Sequence, residues 1–441
     1  MKALRTHGAR TAGDDYLPNS GNGGYIVSRY DLDLRYKVAT NRLDGTATLA
    51  LTSTQDLERF TLDLSGLRVS KVVIAGRRTT SFSQTAHKLV VSPAAVIHAD
   101  TEFSLTVTYS GSPGPRGSAW GAVGWEELAD GVLVAAQPSG APTWYPCNDY
   151  PGSKASYGIR FAAEQAYTVV CNGTLVSHRT SSGLGHWHYE QPQPTASYLA
   201  TVQIGRYARV AADLDGVAGV MVYPKPIEAR VLTDLAALPR MMALYQSTFG
   251  PYPFDDYTVV VTADDLEIPL ESQGLATFGA NHMDGHGVAE RLVAHELAHQ
   301  WFGNSVGLAQ WSDIWLNEGF ACYSEWLWSE HKGGMTADGL ARQFRRSLSQ
   351  QPLDITVGDP GAADMFDDRV YKRGALTLHA LRLTIGDTAF FDLLKAWAAR
   401  HRHSTVTTTD FRALAAEFST TPLDDLFERW LFQTPLPALP H

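Results

Sequence analysis

Cysteine is scarce in this 441-residue chain: Cys147, Cys171 and Cys322 are the only three. Their odd number and wide spacing exclude a disulfide framework and a cysteine zinc ribbon, which leaves them as small buried side chains. Positive charge is also in short supply. The 36 Lys and Arg are outnumbered by 46 Asp and Glu, a formal net charge of −10. They form no cluster of the kind that replaces phosphate counterions, so nucleic acid and anionic membrane surfaces are not expected as partners. No apolar run reaches the roughly 20 residues that a bilayer-spanning helix needs. Residues 1–20 carry Lys2, Arg5 and Arg10 without the apolar core of a secretory signal. The expected setting is therefore the cytoplasm, where the Asn172-Gly173-Thr174 triplet meets no glycosylating enzyme. Internal repeats and low-complexity linkers are missing too.

What is present is enough apolar material for large cores, at 44% hydrophobic against 19% charged residues. At roughly 150 residues per domain the length allows about three domains. The first half reads as strands. Phe103, Leu105, Val107 and Tyr109 alternate with polar residues, as do Tyr157, Ile159 and Phe161, and as do Ala47, Leu49 and Leu51. Gly- and Pro-rich punctuation recurs at 19–24, 111–117 and 192–194, the mark of many short strands in a β-sandwich. After about residue 208 the period becomes helical. Helices are expected over 227–249, with Pro239 kinking or dividing it, and over 288–302, 314–330, 371–385, 390–400, 411–417 and 423–431; a buried strand is expected over 258–261. The predicted organisation is a β-sandwich domain, 1–208, docked directly on a mainly helical domain, 209–441.

One stretch is far more specific than composition. His295-Glu296-Leu297-Ala298-His299 lies in a helical pattern, so the two imidazoles sit one turn apart on one face and can reach the same metal ion. An HExxH string arises by chance roughly 0.05 times in a chain of this composition, so the motif alone leaves room for two ordinary histidines. A third ligand narrows the choice. Glu318 follows His299 after eighteen residues, in Trp315-Leu316-Asn317-Glu318-Gly319. Two His and one carboxylate leave the fourth position of a tetrahedral zinc open, the arrangement of catalytic rather than structural zinc. Magnesium or calcium would want mostly oxygen ligands.

The run from His295 to Asn304, the spacing to Glu318 and the segment 315–321 closely resemble the aminopeptidase N family of gluzincin metallopeptidases. Tyr145-Pro146-Cys147-Asn148-Asp149 with Lys154-Ala155, Tyr252-Pro253-Phe254 and Gly274-Leu275-Ala276-Thr277-Phe278 resemble further signatures of that family, so the likeness runs along nearly the whole chain. For the fold, the resemblance implies a saddle-shaped N-terminal β-sandwich followed by a thermolysin-like, mainly helical catalytic domain. For function, it implies a zinc aminopeptidase carrying one zinc ion, held by His295, His299 and Glu318, and acting on peptides with a free N-terminus. Glu296 would be the general base and Tyr371 the oxyanion stabiliser, although Arg373 stands where the family carries lysine and Lys372 adjoins the tyrosine. Glu271 would anchor the substrate ammonium, in Ile268-Pro269-Leu270-Glu271-Ser272 where the family has Gly-x-Met-Glu-Asn. Gln137 would line the pocket of the first side chain.

Read from the residues alone, Tyr371 is an ordinary residue opening an amphipathic helix and Gln137 a surface amide, while Glu271 has an exposed strand carboxylate as its alternative. Glu325, two turns after Glu318, either orients a ligand histidine or is a solvated helix glutamate. His401 and His403 read as a solvated helix end. Two rival functions accompany the peptidase: a leukotriene hydrolase-like epoxide hydrolase on the same metal, which needs a deep apolar channel, and a non-catalytic module on the same fold. Longer family members add a helical C-terminal domain over the site, so a more open site and a monomer are expected here.

Overall fold

The computed structural model describes residues 6–76 and 80–440. In its first half, strict alternation builds the sheets. The strand Tyr25–Lys37 turns Tyr30, Leu32, Leu34 and Tyr36 inward and exposes Asp33, Arg35 and Lys37. It forms the centre of a seven-stranded sheet, pairing in parallel with Lys154–Glu164 and antiparallel with Arg42–Ser53; Glu102–Gly111 lies beyond Arg42–Ser53. A five-stranded sheet, which includes Gly121–Leu128, Gly131–Ala135 and Val202–Gly205, and a three-stranded sheet, Phe60–Asp63, Thr80–Gln84 and Lys88–Pro93, complete this half. One core runs between them, with Trp125, Trp144, Tyr145 and Tyr157 wholly inside. No α-helix falls before Glu228 among the described residues.

Tyr207–Leu214 opens a different, five-stranded sheet with Val217–Pro224, Asp256–Val261, Leu275–Phe278 and the edge strand Leu270–Ser272. The expected helix over 227–249 is divided. Glu228–Asp234 ends, and Pro239 sits in the first turn of Leu238–Phe249, where its missing N–H costs nothing. The two-histidine helix spans Glu290–Ala298, shorter than the pattern suggested. The glutamate helix is Trp315–His331 and the tyrosine helix Asp368–Ile385, which begins earlier than expected because the Asp367 carboxylate caps it by accepting from the Arg369 N–H at 2.9 Å. Asp387–Arg400 and Thr408–Glu417 follow, and Asp424–Phe427 runs into a wide turn, Glu428–Phe432. A helix at Ala337–Leu348 was not anticipated. It is polar on its outer face and packs Ala337, Ala341 and Leu348 inward, and its N-terminal signal is Thr336, whose side chain accepts from Gly339 N–H.

Two expectations need correction. His401 packs on Trp397 and His403 on Phe254, and both are partly buried, so neither is a solvated end. Arg373 does not stand at the tyrosine. Its guanidinium turns away to donate to the carbonyls of Trp430, Thr434 and Arg429 at 2.8–3.0 Å, clamping the last turn of the chain.

The halves are tied by buried polar contacts. Lys154 reaches from its strand to the carbonyls of Asn304 and Ser305, each at 2.8 Å, just beyond the two-histidine helix. Asp14 accepts from Trp311 N–H at 2.8 Å. The Asn172 amide holds the carbonyls of Leu199 and Gln273, so this side chain is buried and spent on structure.

Candidate metal centre and active site

Three helices and one strand converge on the site. The glutamate and tyrosine helices approach so closely that a Cβ on Gly319 would lie 2.9 Å from the Cα of Gly374. Only glycine at both positions permits this contact. Glu318 and Tyr371 are thereby brought to the same side of the crossing. At the other edge, Gln300 accepts from Gly274 N–H at 2.8 Å and donates to Ser272 O at 3.2 Å. Asn304 donates to the same carbonyl at 3.0 Å. These bonds pin the edge strand Leu270–Ser272, and with it Glu271, beside His299.

His295 Nε2 and His299 Nε2 lie 3.5 and 3.4 Å from Glu318 Oε2. Bonds of 2.0–2.2 Å to a tetrahedral zinc place neighbouring ligand atoms about 3.4 Å apart, so this donor set fits that ion. The outer nitrogens are committed elsewhere: His295 Nδ1 to Glu325 Oε1 at 2.7 Å, His299 Nδ1 to Phe302 O at 3.1 Å. Those bonds aim both Nε2 lone pairs inward. Glu325 is thus buried against a ligand and is not a solvated residue.

The electrostatics follow from burial and crowded charge. Among protein groups alone, burial lowers His295 and His299, but the carboxylates around them more than reverse it, to about 10 and about 9. Burial raises Glu318, yet the two imidazoles bring it down to about 2. Glu296 has no such bonded partner. Burial, with Glu271 and Glu318 nearby, raises it to about 7, and its Oε2 is buried without a hydrogen bond among the described residues. The Tyr371 ring stacks on His295 at 6.1 Å, and burial followed by the surrounding carboxylates keeps its hydroxyl protonated. Gln137 crosses from the β half to donate to Glu271 Oε1 at 2.7 Å.

Peptidase family M1 domain matches residues 234–430, and Peptidase M1 N-terminal domain matches residues 27–199. An M1 zinc metallopeptidase mutant from Deinococcus radiodurans, solved with a Tyr-Ser-Ala substrate, superposes with a TM-score of 0.90 at 30% identity over 97% of this chain and 99% of that one. This chain belongs to the M1 zinc metallopeptidase family. Among curated relatives, Aminopeptidase M1 of Arabidopsis thaliana is 24% identical over 94% of this chain and 51% of its own length. Endoplasmic reticulum aminopeptidase 1 of Homo sapiens is 26% identical over 88% and 45%. The chain spans about half the length of these two relatives. Its fold is the two-domain M1 architecture, a β-rich N-terminal domain before a helical catalytic one, and zinc is the metal the family and the donor set imply.

All seven residues singled out in the M1 sequence meet at one cavity of about 550 Å³: His295, Glu296, His299, Glu318, Glu271, Tyr371 and Gln137. Arg291 and Trp120 are among the wall residues that went unnoticed in the sequence. Arg291 stands one turn before His295, and that four-residue spacing was the available signal. Trp120 arrives from the β half by tertiary contact with Phe366 and had none.

Proposed function

We propose that this M1 chain is an aminopeptidase that holds one zinc ion at His295, His299 and Glu318 and removes single residues from peptides with a free N-terminus. The observation that carries the reading is the meeting of Glu296, Tyr371 and the Gln137–Glu271 pair with His295, His299 and Glu318 at one cavity. When bound, zinc supplies a Lewis acid that acidifies water and polarises a carbonyl oxygen. Glu271 receives the substrate ammonium; Gln137 occupies its Oε1 and so orients the carboxylate. That anchor lets only the first peptide bond reach the metal centre. Glu296, raised to about 7, takes the proton of the attacking water near neutral pH and passes it to the leaving amine. Tyr371 stays protonated and donates a hydrogen bond to the oxygen on which negative charge develops.

Domain division at 208/209 is part of the same proposal and is supported by the change of sheet at Tyr207. So is a reducing, cytoplasmic setting, supported by three free buried thiols. No helix among the described residues is long and apolar enough to cross a membrane.

The test is a panel of aminoacyl-arylamides and their N-acetylated counterparts, assayed with and without a chelator. Free-amine substrates should be cleaved, blocked ones should not, and zinc should restore activity after chelation. A pure, zinc-loaded protein inert across the panel would refute the reading.

A further inference from the structure

The cavity wall carries charges of both signs. It holds the carboxylates of Glu126, Glu267 and Glu271 and, beside Glu325 and Asp368, two cations, Arg291 and Lys372. Arg291 Nη1 donates to both oxygens of Glu325 at 2.9 Å. Its Nε and Nη2 find no acceptor among the described residues, and the side chain is 56% exposed. Lys372 follows Tyr371 and is only 11% exposed, yet its Nζ has no oxygen at hydrogen-bond distance among the described residues. Its neighbours are Cys322 Sγ at 3.5 Å, the Asp368 carboxylate at 3.6 Å and the Phe344 ring at 5.0 Å. Burial disfavours that ammonium, and Cys322, Glu325 and Asp368 more than offset it; a ligand carboxylate would supply the oxygen acceptor that Nζ lacks.

The direction of the substrate decides what that anion is. With the ammonium at Glu271 and the scissile carbonyl at the ligand triad, the second residue extends past His295 toward Arg291 and Lys372. We propose that Arg291 and Lys372 form a carboxylate-binding subsite for the second residue of the peptide. The carboxylate is either the C-terminus of a dipeptide or the side chain of Asp or Glu at that position. The inference deepens the aminopeptidase reading and rests on it. Two anions already face these cations. Glu325 is spent on His295 and Arg291 Nη1, and Asp368 is 70% exposed, so a substrate carboxylate competes only with a solvated group. The cavity volume suits a peptide of two or three residues.

The test compares kcat/KM in matched pairs on the zinc-loaded chain. Leu-Ala against Leu-Ala-amide reads a terminal carboxylate; Leu-Asp-amide against Leu-Asn-amide reads a side-chain carboxylate. The acid member of at least one pair should be cleaved about tenfold or more faster, the worth of one charged hydrogen bond. That ratio should collapse toward one in Lys372→Gln and in Arg291→Gln. A disturbed metal site, reached from Arg291 through Glu325, would lower both members together and leave the ratio intact, as would partial misfolding. Equal rates within both pairs, or an acid preference that survives both substitutions, would overturn the subsite. Cleavage of none of the four peptides would instead remove the aminopeptidase reading on which it stands.

Discussion

Two buried clusters of titratable groups, one in each half, show what separates a scaffold from a site. In the β half, Lys88 meets Asp63 at 2.6 Å, Asn22 donates to Asp63 at 2.7 Å, and Ser197 donates to Asp149 at 2.7 Å. Burial raises Asp63 to about 6 and Asp149 to about 7, shifts like that of Glu296. A perturbed carboxylate therefore does not identify catalysis. The difference lies in where the groups point. The β cluster bonds inward, joining residues 21–22, 61–63, 88 and 148–149 and leaving Asp149 Oδ2 as its one carboxylate oxygen without a partner among the described residues. The metal cluster closes only on its outer side, through Glu325 and Phe302 O, and turns two Nε2 atoms, Glu318 Oε2, Glu296 Oε2 and a tyrosine hydroxyl toward one cavity.

The sharpest way to break that contrast is to neutralise one charge in each cluster. Glu296→Gln should lower kcat by at least about 10³-fold while zinc content and melting temperature hold. Retained turnover would return Glu296 to the scaffold class. Lys88→Met should do the opposite, costing about 3–5 kcal/mol in denaturant unfolding because Asp63 is left buried and unpaired, with kcat per folded molecule unchanged. A stable but inactive protein would show that the β cluster reaches the chemistry.

The smallest effect concerns pH. Asp149 has a folded pKa of about 7, above its ordinary value of 3.8, because of burial and then Asp63. The native state therefore holds this proton more tightly than the unfolded chain. The contribution to stability is complete below about pH 4 and is lost as pH rises through about 7. Asp149→Asn should flatten that stretch of the stability curve and gain roughly 1–3 kcal/mol at pH 8. An unchanged slope between pH 4 and 8 would assign the titration to another group.

Much of this was legible in the chain. Period-two strands such as 103–109 and 157–161 appear where expected, inside Glu102–Gly111 and Lys154–Glu164, because one face of each sheet is core and the next residue must point away. The two-histidine helix and Glu318 were legible for a different reason: ligand geometry restricts both residue type and spacing. Helix ends were less legible: the Asp367 cap starts the tyrosine helix at Asp368, ahead of the expected residue 371. The helix Ala337–Leu348 escaped because its apolar stripe of Ala337, Leu340, Ala341, Phe344 and Leu348 is narrow and set among charged residues, and only the fold shows what it packs against. Glu325 was undecided, since two helical turns after Glu318 set its face but not what that face meets; only the fold buries it against His295.

The sequence by itself determined the family, the two architectural classes and the candidate metal donor set, since each depends on local periodicity or fixed spacing. Tertiary structure decided the rest. Gln137 becomes a partner of Glu271 across 134 positions. Arg373 leaves the site for the chain's last turn, while Lys372 and Arg291 face the cavity with donors to spare. Whether a charge is spent on structure or left free depends on which groups surround it in three dimensions, and chain order carries no record of that.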